Sequence, residues 1–374
     1  MATVQSNREA LEDVVREVIE PDAREVDGGR FPRRAVEALG RAGLLGLVSS
    51  RDVGGLGGGF GDAAAAVERV ARSCGSTALV LTMHCCAAAV LEAHGDAETR
   101  RAIAAGRHLS TLAFSEVGSR SHFWVPLGTA TPDDGGVRLD ARKSWVTSAG
   151  EADSYVWSSR PVAAEGLSTL WLVPAGAPGL EVSGGFDGLG LRGNASRPMT
   201  ATGPRLPVSA RLGPDGGGFE IMMGVVLPWF QVLSAAASVG IMETATERTA
   251  AYAGATRLDH LGQTLADQPV TRAHIARMRM LADQARALLL DTLSAIESAR
   301  EDATLRVLEV KPVASEAGIA VTDLAMRVCG GSAYRREVGV ERQFRDARAA
   351  TVMAPTTDAL HDFIGKAVCG LPLF

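Results

Sequence analysis

Hydrophobic and polar positions along the chain fall into three textures. From residue 7 to about 108 the apolar positions recur at helical spacing. Leu11, Val14, Val15, Val18 and Ile19 share one face, Glu9, Glu12, Asp13 and Arg16 lie largely off it, and Pro21 is expected to close the pattern. A second helix is expected near Arg33–Ala42, followed by the apolar run Leu44–Val48, and Ala-rich helices over Asp62–Ser73 and Thr77–Ala93. The run Gly54–Gly61, Gly-Gly-Leu-Gly-Gly-Gly-Phe-Gly, has the composition of a phosphate loop. It lacks a Lys-Ser/Thr continuation and a strand-loop-helix setting, so it reads as a mobile connector.

The second texture, from about Ser110 to Leu212, is rich in glycine and proline with short β-prone runs at Tyr155–Trp157, Leu170–Val173, Leu180–Val182 and Met199–Thr202. Turn chemistry at Asp133-Asp134-Gly135-Gly136 and Asp187-Gly188 separates them, as in a small antiparallel barrel or sandwich. After Gly216-Gly217-Gly218 helical patterns return over 219–255, 269–299 and 306–328. The expected class is α+β in three domains: an N-terminal helical domain (1–109), a middle β domain (110–215) and a C-terminal helical domain (216–374).

Composition narrows the function classes. A 46% hydrophobic content in 374 residues is ample for sizeable cores, and a net charge of −5 argues against a general nucleic-acid binder. Five cysteines (Cys74, Cys85, Cys86, Cys329, Cys369) show no metal spacing and read as reduced thiols. The N-terminus enters a charged amphipathic helix without an apolar signal core, and no stretch reads as a membrane span. A soluble, cytoplasmic protein with no membrane partner is expected.

Candidate chemistry concentrates between Arg327 and Thr357. An apolar helical pattern (Ala320, Val321, Leu324, Ala325, Val328) stops at Gly330-Gly331, which serves equally as a helix cap or as a place for close backbone approach to a ligand. Arg342, Arg345 and Arg348 then follow at three-residue spacing, giving one helical face three cations, either a solvated face or a phosphate site.

This segment resembles the C-terminal signature of the acyl-CoA dehydrogenase flavoprotein family: a Gly-Gly loop, an Arg-Asp-Ala block, here Arg345-Asp346-Ala347, and a short loop over the flavin, here Ala354-Pro355-Thr356. Two further blocks carry the resemblance. Phe114-Ser115-Glu116-Val117-Gly118-Ser119-Arg120-Ser121 is similar to the Thr-Glu-Pro-Gly-Ala-Gly-Ser loop, and Lys143-Ser144-Trp145-Val146-Thr147-Ser148-Ala149 to the Lys-x-Trp-Ile-Thr-Asn-Ala strand. The resemblance spans residues 7 to 366. It implies bound FAD, a middle domain built as an antiparallel β-barrel, a C-terminal four-helix bundle and a homodimer or homotetramer.

Residue by residue, it implies that Phe114 and Ser115 meet the flavin through backbone groups, Ser121 reaches the pyrophosphate, Trp145 stacks beside the ring and Thr147 bonds to it. Arg257, Gln268, Arg327, Gly330, Gly331 and Thr356 would complete the cofactor site, Arg257 and the Gly331 segment across a subunit boundary. Donors fixed around a flavin stabilise the charge that a hydride delivers to it.

The departures redirect the chemistry. Ala354 stands where many members carry their catalytic glutamate, and the alternative position, on the helix at 226–236, carries no carboxylate over Val226–Ser234. Two charges that serve CoA binding in the family become Pro228 and Gln231. Losing the base that removes an α-proton costs orders of magnitude in desaturation rate. The ending Ala354-Pro355-Thr356-Thr357-Asp358-Ala359-Leu360-His361-Asp362-Phe363-Ile364-Gly365-Lys366 resembles that of the subgroup that builds the methoxymalonyl extender unit of polyketides, which implies an acyl-ACP dehydrogenase oxidising a glyceryl-type unit toward hydroxymalonyl-ACP, a reaction that needs no α-proton base. Trp229 and Gln231 would face the substrate, and a separate protein would accept the electrons. The alternatives are a flavin monooxygenase on the same fold, such as an amine or amino-sugar N-hydroxylase, and a non-catalytic paralogue. Glu116, His122 and Asp358 are the remaining acid-base candidates.

Overall fold

A computed structural model describes residues 4–119 and 122–374 of the chain. The helical run at the start is longer than expected: α1 (Val4–Val14), one π-turn over Val15–Ile19, then α2 (Glu20–Asp27). Pro21 does not end it. It sits in the first turn of α2, directly after the π-turn has interrupted the hydrogen-bond ladder, where a missing N–H leaves little unmatched. α3 (Arg33–Arg41), α4 (Phe60–Ser73), α5 (Gly75–His94) and α6 (Ala97–Ala104) follow.

The Gly54–Gly61 run is not a mobile connector. The N–H groups of Gly55, Leu56, Gly57 and Gly58 donate to the carbonyls of Ser50, Gly46, Ser49 and Leu47, which straps the run to the preceding turn. A Cβ at Gly55 would lie 2.2 Å from Ser49 O, so glycine is what permits the approach.

Two four-stranded sheets come next. The first has the order β1 (Ser110–Ala113), β4 (Ser154–Ser159), β5 (Thr169–Pro174), β8 (Arg211–Leu212). β1 runs parallel to β4 in register Ser110↔Ser154, and the other pairs are antiparallel. The second, antiparallel throughout, has the order β2 (Thr129–Asp133), β3 (Gly136–Val146), β7 (Arg197–Pro207), β6 (Leu180–Val182). The expected antiparallel barrel is therefore replaced, among the described residues, by two open sheets, the first of which contains one parallel pair. Local alternation cannot reveal which strands end up as edges. The core of the first sheet is Tyr155, Trp157, Leu170 and Trp171, all fully buried.

The helical texture returns in α7 (Gly218–Ile221), a second π-turn over Met222–Val226, and α8 (Leu227–Ala255) with Pro228 in its first turn. A small hairpin of β9 (Arg257–Leu258) and β10 (Gln263–Thr264) leads to α9 (Pro269–Glu297), α10 (Ala303–Cys329), α11 (Val340–Ala347), α12 (Ala349–Val352) and α13 (Thr357–Val368).

By contact density the chain forms two compact units, one of Met1–Ala66, Ser76–Gly188 and Arg192–Phe230, the other of Val67–Gly75, Leu189–Leu191 and Gln231–Phe374. In the second unit α10 is the hub, contacted by α9, α11, α12 and α13. There Arg279 and Arg286 both bond Glu243, and Arg286 also grips Glu68 through two hydrogen bonds. The paired guanidinium groups hold the Glu243 carboxyl down at about 2.

Two helices, Gly75–His94 and Gly218–Ala255, are long and apolar enough to cross a membrane, which corrects the expectation that no stretch would qualify. In each, 78% of the apolar window is buried inside the protein, as in core helices.

Candidate functional site

In the first unit, β3 departs from regular geometry where the sequence placed its chemistry. The register to β7 shifts between Lys143 and Val146, and Trp145 and Ser148 take left-handed backbone angles of φ 56° and 59°. Such angles are rare in non-glycine residues and rarer in bulky ones, and here they bracket Val146-Thr147. The strain turns the Trp145 side chain outward, leaving the residue 70% exposed. Thr147 is buried, with its hydroxyl 3.1 Å from that of Ser196.

The end of β1 lies against this bulge. Ser144 N–H donates to Ser115 O at 2.8 Å, Val117 N–H to Arg142 O at 3.4 Å, and Glu116 forms a bridge with Lys143. Phe114, Ser115, Trp145 and Thr147, four of the expected cofactor residues, are thereby brought together. Ser121 lies outside the described residues. Trp229, also in this unit, stacks on Phe60 with centroids 4.0 Å apart and planes at 20°.

A buried ion pair that sequence reading missed holds the bulge in place. Lys143 Nζ donates to Glu116 Oε1 (2.6 Å), Ser158 O (2.7 Å) and Ser158 Oγ (2.8 Å), and Glu116 Oε2 accepts from the N–H groups of Leu127 (2.6 Å) and Gly128 (2.8 Å). Burial pushes Lys143 down to about 8, against the pull of Glu116, so it stays an ammonium at neutral pH. With both carboxylate oxygens engaged, Glu116 is a structural anchor. The signal was present: Lys143 falls on the inward register of β3 with Val137 and Leu139. Of the other acid-base candidates, His122 is exposed with its ring edge-on to Trp124, and Asp358 is exposed in the first turn of α13.

In the second unit, the loop between α12 and α13 carries Ala354, half-buried and without acid-base chemistry. Lys311, fully buried on α10, donates to Met353 O (2.8 Å) and Pro355 O (2.7 Å), the carbonyls on either side of it. Burial pushes this amine down to about 7. Sequence reading passed over Lys311, although it occupies a core position of the α10 pattern with Val307, Ala314, Val321 and Ala325. Thr356 caps α13 by accepting from Ala359 N–H at 3.4 Å.

Gln231 is fully buried on α8 and donates from its amide nitrogen to Val307 O at 3.4 Å. Arg257 is exposed on the β9–β10 hairpin beside Asp259, Gln268 bonds Gln263 at 2.9 Å, and Arg327, Gly330 and Gly331 are exposed at the end of α10. The structure does not gather these into one site with Gln231. Of the arginine stripe, Arg342 donates to Ser73 O and Arg345 pairs with Glu341, while Arg348, just past the end of α11, stacks 3.7 Å over Phe344 and keeps one buried guanidinium nitrogen without a hydrogen-bond partner among the described residues. The phosphate reading of that stripe is therefore not supported by its geometry.

Comparison with known proteins gives this arrangement a family. The models of the N-terminal, middle and C-terminal domains of acyl-CoA dehydrogenases match residues 2–106, 111–203 and 216–369. The chain belongs to the acyl-CoA dehydrogenase family, with its helical, sheet and helical domains in that order. Members are FAD-dependent oxidoreductases, and this chain is one. It is 28% identical over 356 residues to the mitochondrial short-chain specific acyl-CoA dehydrogenase of Homo sapiens, covering 92% of this chain and 85% of that one. It is also 28% identical over 348 residues to the L-prolyl-[peptidyl-carrier protein] dehydrogenase of Pseudomonas fluorescens, covering 90% of each. Among solved structures, FkbI, for biosynthesis of the methoxymalonyl extender unit of the FK520 polyketide, superposes with a TM-score of 0.85 at 25% identity, covering 97% of this chain and 99% of that one.

The residues present in the first unit fit a flavin. A strained backbone holds an exposed indole face outward, the Thr147 hydroxyl lies two residues on, and the Phe114–Ser115 backbone runs alongside. Such a set offers stacking and hydrogen bonding to a planar heteroaromatic ring.

Proposed function

We propose that the protein oxidises a short hydroxyacyl group carried as a thioester on an acyl carrier protein, a glyceryl-type unit toward hydroxymalonyl-ACP. The observation that carries this reading is the missing carboxylate, at Ala354 and throughout Val226–Ser234. A desaturating enzyme must take a proton from carbon, and Ala354 cannot. An alcohol keeps its proton on oxygen, and removing it makes a lighter demand on a base. The substrate would lose a hydride from the carbinol carbon and a proton from its oxygen, giving the aldehyde, whose hydrate would repeat the step to the acid.

FAD, when bound, supplies the acceptor for the two electrons of each step. Phe114, Ser115 and Thr147 would orient its ring and Trp145 would cover it, while Lys311 fixes the loop that carries Ala354. The likeness to FkbI and to a dehydrogenase whose substrate rides on a carrier protein supports a carrier-bound substrate. The exposed Arg257, Arg327 and Gly331 support a homo-oligomer in which a second copy completes the cofactor site, and a separate electron acceptor would return the flavin to its oxidised state. The protein would work in the cytoplasm.

Mass spectrometry of the carrier protein after incubation with enzyme and an artificial electron acceptor tests the reading. Loss of two hydrogens from a glyceryl load, followed by gain of an oxygen, is expected; an unchanged glyceryl load alongside conversion of butyryl-CoA to crotonyl-CoA would overturn it.

A further inference from the structure

Two buried polar atoms on α8 have no hydrogen-bond partner among the described residues: Gln231 Oε1 and Ser234 Oγ. Both residues are buried, and they lie three positions apart, on one face of one turn. Buried polar atoms in folded proteins are nearly always paired, so two orphans in one turn call for an explanation. An exchange of the Gln231 amide atoms does not supply one. Its nitrogen donates to Val307 O at 3.4 Å, and turning the amide over would set two oxygens against each other.

The position of the pair is informative. Gln231 is tied to Val307, and Lys311 stands one turn further along α10, a rise of about 6 Å. Lys311 in turn holds the carbonyls that flank Ala354. Gln231 and the loop that carries Ala354 are therefore anchored to adjacent turns of the same helix, within one compact unit.

The chemistry selects the ligand. Gln231 Oε1 can only accept, so it needs a donor, and Ser234 Oγ can take either role. An alkyl chain would leave both unpaired. A carboxylate or phosphate would set its oxygens against an acceptor, and the Lys311 amine one turn along α10 is engaged by backbone carbonyls. A neutral hydroxyl group satisfies both atoms. We infer that Gln231 and Ser234 form a subsite that recognises a hydroxyl on the acyl group of the substrate. The inference rests on the hydroxyacyl reading above and extends it by naming the residues that separate a hydroxyacyl from an alkyl group.

The test is a comparison of affinities in holoprotein whose flavin has been photochemically reduced under anaerobic conditions, so that no turnover occurs. Glyceryl-pantetheine and propionyl-pantetheine thioesters, alike in chain length, are titrated by calorimetry into the wild type, Gln231→Met and Ser234→Ala. The wild type is expected to prefer the glyceryl thioester by about tenfold, as for one to two neutral hydrogen bonds, and both variants to move the ratio toward unity. Ser234→Ala removes only an unpaired buried atom and should melt no lower than the wild type, whereas Gln231→Met also gives up the 3.4 Å bond to Val307 O and is read by its affinity ratio. A residue with a purely structural role would show the reverse, a lower melting temperature with an unchanged ratio.

Equal affinities in the wild type, or a preference that survives in both variants, would overturn the subsite. Its failure is distinguishable from failure of the functional reading: turnover of a glyceryl carrier with no affinity difference sinks the subsite alone, and an intact affinity ratio without any turnover sinks the reaction alone.

Discussion

Replacing Lys143 with methionine tests whether the buried ion pair holds the backbone of the proposed flavin site. The substitution nearly conserves volume, so the packing loss against Trp157, whose ring lies 5.2 Å from the ammonium, is small. What changes is charge: Glu116 keeps the two N–H donors of Leu127 and Gly128 but loses its counter-ion, and Ser158 O loses a donor. Removing one partner of a buried pair costs about 3–5 kcal/mol, because the remaining charge is left uncompensated. Equilibrium urea unfolding, followed in parallel by circular dichroism and by flavin release, would report that loss, with flavin release moving to lower urea at least as far as the global transition. The double variant Glu116→Gln/Lys143→Met removes the stranded charge, while the glutamine oxygen can still accept from Leu127 and Gly128. It should be more stable than Lys143→Met alone, a non-additivity expected only of coupled groups. If Lys143→Met lies within about 1 kcal/mol of the wild type, a value typical of exposed pairs, the pair does not organise the site.

Two further predictions follow from named contacts. His84 is fully buried and neutral, with Nε2 facing Leu45 O at 2.9 Å and Nδ1 accepting from Ser110 N–H at 3.2 Å, and burial pushes it from 6.5 down to about 4. The unfolded chain therefore binds this proton first: the contribution is complete above pH 6.5 and is lost as pH falls from 6.5 through 4, by about 3 kcal/mol in all. His84→Gln, which can reproduce both hydrogen bonds, should flatten the stability profile measured by denaturation in that window; an unchanged slope would exclude His84 as its source. At the proposed flavin site, Thr147→Val and Trp145→Leu should each weaken FAD binding about three- to tenfold in fluorescence titration of the apoprotein. Trp145→Leu should leave the melting temperature of the apoprotein nearly unchanged, since the residue is 70% exposed.

Much of the fold was legible because it is local. The helical period marked α3, α4, α5, α9 and α10 nearly to their ends, and turn chemistry marked the β region. The failures are tertiary. A π-turn lets the first helix continue past Pro21, and the Gly54–Gly61 run is ordered by carbonyls of the turn before it, which composition cannot show. Arg342, Arg345 and Arg348 share a face as their spacing said, but whether such a face meets solvent, ligand or protein depends on what packs against it. Lys143 and Lys311 were visible as cations at core positions of otherwise regular patterns. Such breaks in pattern carried more information about the site than the glycine-rich and arginine-rich stretches that first drew attention.

The central claim is that the chain oxidises an alcohol carbon of a carrier-bound acyl group rather than desaturating an acyl-CoA. Anaerobic mixing of the yellow holoprotein with glyceryl-ACP and, separately, with butyryl-CoA, while flavin absorbance near about 450 nm is followed, tests it most directly. Bleaching with glyceryl-ACP and not with butyryl-CoA is the predicted result. Bleaching with butyryl-CoA would show that a base serves the α-carbon despite Ala354 and would contradict the account, and bleaching with neither would shift the assignment to oxygen chemistry on the same fold.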